Sequence, residues 1–132
     1  MNDLPVTRLV ESLASGEISS VDATSAYLER IERLDGSIGA YWTVDADGAL
    51  EQAMQADSAT KTGRQLGALH GLPVALKDNI DTAGLRTTNG AAFLADRVPE
   101  VDAEVTRRLR EGFARRIDIA NWWLEHHEEV ER

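Results

Sequence analysis

Cysteine is missing from all 132 residues, so the chain can build no disulfide framework, thiolate nucleophile or cysteine-based zinc or iron–sulfur centre. Its absence also leaves the redox compartment unread. Histidine is scarce, with three residues, and neither a metal nor a cofactor is expected. Basic charge is short as well: 14 Lys and Arg stand against 23 Asp and Glu, for a net charge of −9. Such a field repels phosphate backbones and anionic headgroups, which argues against nucleic-acid and membrane-surface partners. No stretch approaches the roughly 18 apolar residues of a membrane helix. The opening Met1 to Pro5 lacks the basic-then-apolar order of a secretion signal, so a cytoplasmic protein is expected. Aromatics are only 5%, yet hydrophobic residues reach 42%, the share of one ordinary globular domain.

Patterning is mostly helical. Val6, Leu9, Val10 and Leu13 recur at helical spacing, and Gly16 follows where a left-handed cap would stop the helix. Ser19 or Ser20 can accept backbone N–H bonds as the cap of a second helix, whose apolar face is Thr24, Tyr27, Leu28, Ile31 and Leu34. Asp35-Gly36-Ser37 should break it, and Ala40 to Val44 has the β-branched and aromatic content of a short strand. A third helix is predicted from Asp47 to about Lys61, closed by Gly63. Pro73-Val74-Ala75-Leu76 is a short apolar run of the kind found in strands covered on both faces. Asp102 can cap a fourth helix, with Val105 and Leu109 inward and Gly112 at its end. The fold class predicted is α/β in the loose, α+β-like sense: helix-rich with one or two short strands.

Chemistry concentrates between Leu69 and Gly84. Lys77 follows the apolar run and precedes a polar turn, where desolvation could lower its pKa and make a neutral amine available as a base. By pattern alone, a solvated lysine paired with Asp78 is the favoured reading. Asp78 and Asn79 read as turn-fixing residues, through bonds from their side chains to the backbone. A lone His70 reads as a hydrogen-bonding loop residue. Trp42 could face a substrate, although a core or interface position suits a strand of that composition better.

Gly-Leu-Pro-Val-Ala-Leu-Lys-Asp-Asn at 71 to 79, then Ile-Asp-Thr-Ala-Gly at 80 to 84 and Thr-Thr-Asn-Gly at 87 to 90, resembles the amidase signature family around its catalytic lysine. Gly16 to Ser20 before the Tyr27-Leu28-Glu29-Arg30-Ile31 helix resembles it too, as does Asp102-Ala103 leading to Arg108-Leu109-Arg110. The likeness runs from about the N-terminus to Gly112. It implies an enzyme acting on carbon–nitrogen amide bonds through a nucleophilic serine, a bridging serine on a cis peptide and a lysine base, with Lys77 in the last role. The proton would pass through the bridging hydroxyl to the neutral lysine while backbone N–H groups receive the developing oxyanion. It also implies a mixed sheet covered by helices, of which this chain would hold the opening part, and a small-molecule amide substrate of unspecified class.

Beyond Gly112 the family pattern stops. Its Gly- and Ser-rich segment carrying both serines has no counterpart here, and Ser12, Ser15, Ser19, Ser20, Ser25, Ser37 and Ser58 all precede Lys77 in helices or caps. Residues 1–112 therefore read as an amidase-like N-terminal portion and 113–132 as an unrelated helical tail, truncated before the serines and inactive alone. In the tail, His126 and His127 diverge on a helix, and His126 with Glu129 reads as solvated surface rather than a metal site. The rival reading is a noncatalytic helix-rich module that self-associates or binds a protein through exposed apolar faces.

Overall fold

In the computed structural model, which describes residues 4–63 and 67–114, capping chemistry decides where each helix starts and stops. The first helix, α1 (Val6–Ser15), ends on Gly16 in the left-handed conformation, whose N–H returns to the Leu13 carbonyl. Ser19 caps α2 (Ser20–Ile38), its hydroxyl accepting the Asp22 N–H at 2.9 Å. Asp45 does the same for α3 (Ala46–Lys61) through the Gly48 N–H. A short 3₁₀ turn at Ala92–Leu94 precedes α4 (Glu104–Ala114).

Two expected breaks are absent. Helix α2 continues through Asp35-Gly36-Ser37 and stops on Gly39, because Asp35 keeps its helical backbone while its carboxylate accepts the Ala40 N–H beyond the helix at 2.7 Å. Helix α4 likewise passes through Gly112. Its inward residues are Thr106, which is buried, and partly Leu109, whereas Val105 is exposed. Asp102 does not turn back to cap α4 but spends its carboxylate elsewhere, as described below.

The predicted strands are the larger difference. Among the described residues no strand forms, and β pairing is limited to the isolated antiparallel bridge Thr82–Leu85. Segments 40–44 and 73–76 have strand-like composition but no neighbouring segment aligned to exchange backbone hydrogen bonds, and a strand exists only through such a partner. The described chain is helix-rich.

Leu9 and Leu13 of α1 and Ala23 of α2 form the buried cluster, with Ile18, Tyr27 and Leu72 packed against it. Helices α2 and α3 pack together, and the link is polar as well as apolar. Asp57 of α3 accepts the Ser20 and Val21 N–H groups at 2.7 and 3.2 Å, satisfying two donors that the first turn of α2 cannot pair internally. Leu72 is the member that matters for the site, since it anchors the start of the segment leading to Lys77.

Candidate active site

The approach to Lys77 is fixed from behind. His70 Nε2 donates to the Ala56 carbonyl of α3 at 2.9 Å and lies 3.2 Å from the Thr60 hydroxyl, so the loop histidine is a tether, as its sequence position suggests. Gly71, at φ +72°, then passes so close to α2 that a Cβ would overlap the Ser20 hydroxyl. Only a residue without a side chain fits that contact and that backbone angle together.

At the front, the Lys77 carbonyl accepts the Ile80 N–H at 2.9 Å, closing a turn over 77–80. The Asp78 carboxylate reaches across to a second loop: Oδ1 accepts the Thr88 N–H at 2.9 Å, and Oδ2 accepts the Thr88 hydroxyl and the Gly90 N–H, the latter at 3.2 Å. The Asp78 carbonyl takes the Asn89 N–H at 2.8 Å. Donation by the Thr88 hydroxyl, seconded by its amide, holds the Asp78 carboxyl below the usual carboxylate range. Asp78 thus fixes the turn as predicted; Asn79 is exposed.

A second carboxylate closes the other end of the turn. Asp81 pairs with Arg97 through two parallel bonds of 2.6 Å, the fork geometry that guanidinium and carboxylate share. Those hydrogen bonds hold the Asp81 carboxyl below its ordinary range and raise Arg97 above its own. The Asp81 carbonyl accepts both the Ala103 N–H and the buried Thr106 hydroxyl, each at 2.8 Å, which ties the turn to α4. Asp102 accepts the Ala83 N–H at 2.7 Å and pairs with Arg110 at 2.8 Å. Its use in this crosslink explains why it does not cap the helix. Arg97, Thr88, Thr106 and the bridging role of Asp102 are not evident from the sequence, because each bond spans ten or more residues and carries no local spacing.

Lys77 stands at the centre of this frame with its side chain exposed, as do Val74 and Ala75 before it. The desolvated position that would favour a neutral amine is therefore not formed by the described residues. Trp42 is 64% exposed rather than in a core, and its carbonyl accepts from Arg86 at 2.7 Å. Among the described residues no three metal-ligating side chains gather, and no helix is long and apolar enough to cross a membrane. Phe113 and Ala114, expected to open the tail helix, continue α4 instead, and the rest of that predicted helix, with Trp122, Trp123, His126, His127 and Glu129, lies outside the described residues.

Comparison with known proteins gives relatives in both sequence and fold. The chain is 49% identical over 111 residues to a glutamyl-tRNA(Gln) amidotransferase subunit from Moorella thermoacetica, covering 84% of this chain and 23% of that one. Its fold matches a peptide amidase crystallised with chymostatin, at 38% identity and a TM-score of 0.72, over 79% of this chain and 22% of that one. An amidase family protein from Bacillus anthracis matches at 28% identity and a TM-score of 0.73, over 87% of this chain and 23% of that one. The chain thus spans about a quarter of the length of the relatives it matches. With the amidase family pattern matching residues 22–114, which include the Lys77 turn and both carboxylates that hold it, the chain belongs to the amidase family.

Proposed function

We propose that residues 1–112 are the N-terminal portion of an enzyme that cleaves or transfers carbon–nitrogen amide bonds, and that Lys77 is its base. The two serines of the mechanism lie outside this sequence. The observation that carries the reading is the Lys77 turn, held by Asp78 and Asp81 at both ends in a segment that the family match includes. A base must meet its proton donor at hydrogen-bond range, so its backbone has to be fixed before substrate arrives. In the whole enzyme, segments 40–44 and 73–76 become strands of a mixed sheet, giving the α/β class expected from the sequence. Covering of Val74 to Leu76 then removes water from Lys77 and favours the neutral amine. The substrate is a small-molecule amide.

A chimera tests this directly. Residues 4–112 replace the matching quarter of the peptide amidase, and ammonia release from a peptide amide is measured. Activity is expected to persist and to fall about 10²–10⁴-fold in Lys77→Ala, the usual loss of a general base. An active chimera indifferent to Lys77→Ala would refute the assignment. The 132-residue chain alone should not react with a fluorophosphonate probe, as read by intact mass.

A further inference from the structure

The Asp78 carboxylate receives three donors, two of them from Thr88, a residue ten positions away. Thr88 is 4% exposed, so its hydroxyl has little access to water and gives its proton to Asp78 Oδ2. The same hydroxyl oxygen accepts the Gly90 N–H at 3.2 Å, which completes a closed ring of Asp78, Thr88 and Gly90. Because threonine is β-branched, few side-chain rotamers are open to it, and the hydroxyl is aimed at little entropic cost. Asp78 is covalently next to Lys77, and among the described residues no longer-range hydrogen bond holds the Lys77 backbone apart from its own turn to Ile80. The direction in which the chain presents Lys77 therefore depends on what holds Asp78.

We propose that Thr88 is a positioning residue for Lys77, acting through the Asp78 carboxylate. The proposal rests on Lys77 being the base assigned above. A buried hydroxyl replaced by a methyl group of the same shape leaves Asp78 with one strong donor fewer and the Gly90 N–H with one acceptor fewer, while the packing volume is kept. Serine in its place restores the donor.

The test uses the full chain, whose only lysines are Lys61 and Lys77. Labelled with ¹⁵N-lysine alone, it gives two backbone amide signals, and Lys61, in the last turn of α3, is an internal reference on a different element from the Thr88 loop. In Thr88→Val the heteronuclear NOE of Lys77 should fall while that of Lys61 holds. In a second, uniformly ¹⁵N-labelled sample, exchange of the Asn89 and Gly90 amides should accelerate about tenfold or more, as expected where a local hydrogen-bonded unit opens. Thr88→Ser should return Lys77 to its original value, a rescue that a packing role for the methyl group would not give. Should Thr88→Val lose its helical circular dichroism, Asp78→Asn is read in the same way. An unchanged Lys77 NOE, or an equal fall at Lys61, overturns the proposal. Since the readout is backbone order and needs no turnover, failure here leaves the base assignment standing, and an inactive chimera leaves this result standing.

Discussion

Single residues carry the site through geometry that tolerates little change. Gly71 combines a positive φ with a contact that has no room for a methyl group beside the buried Ser20. Gly71→Ala should therefore lower stability by about 1–3 kcal/mol in chemical denaturation, the range for strained backbone positions. A change within error would mean that α2 yields at Ser20. Asp78 and Asp81 make a prediction of a different kind. Both carboxyls are held below their unfolded values, so the stability they add is complete above the ordinary carboxylate value of about 3.9 and is lost below it, as pH falls through their lowered folded values. The denaturation midpoint should drop as pH is lowered from about 5 towards 2, and Asp81→Asn should flatten part of that slope. Glu104 is also held down, to about 2, by Arg107 and then Arg108, but its salt bridges lie on the exposed face of α4 and add little. Equal slopes in wild type and Asp81→Asn would remove the Arg97 pair from the account.

Elements are where sequence and structure diverge most instructively. Some helix ends are legible: Ser19 is one of two candidate caps for α2, and Gly16 marks the end of α1. The end of α2 is not, because Asp35-Gly36-Ser37 looks like a breaker in isolation while Asp35 instead receives the Ala40 N–H past the helix end. Gly36 therefore lies inside a helix at a position where a Cβ meets open space, and Gly36→Ala should raise stability by about 0.5 kcal/mol. Asp57→Ala should act oppositely, by about 1–2 kcal/mol, since it strips two N–H groups at the start of α2 of their acceptor. Thermal melts of the two variants should move in opposite directions, and shifts of one sign would undo this account of α2. The strands mislead for a related reason. The composition of 40–44 and 73–76 reports what those residues would tolerate, whereas pairing depends on a neighbour that local sequence does not name. The lysine turn is legible as a motif, yet its supports at Thr88, Arg97 and Thr106 are not, because hydrogen bonds across a loop leave no periodic trace.

At the scale of the whole molecule, the described residues divide between a small apolar cluster and a polar network. Leu9, Leu13, Ala23 and Ala53 are the buried hydrophobic residues among them, whereas Phe93 is 87% exposed, Val101 76% and Trp42 64%. Large exposed apolar side chains, with so little core buried among the described residues, favour contact with a second copy, the behaviour also expected from the rival, noncatalytic reading. The net charge of −9 opposes that contact through long-range repulsion, and salt screens the repulsion without weakening apolar burial. The sedimentation coefficient should accordingly rise with concentration over a roughly hundredfold range, and rise further when sodium chloride is added, because mass action and screening push in the same direction. A double variant, Trp42→Ser with Phe93→Ser, should sediment more slowly than wild type at the highest concentration while keeping its helical circular dichroism, since neither side chain belongs to the buried cluster. Constancy across the whole range, with and without added sodium chloride, would show that these side chains are simply hydrated. It would also remove self-association as a rival to the amidase reading.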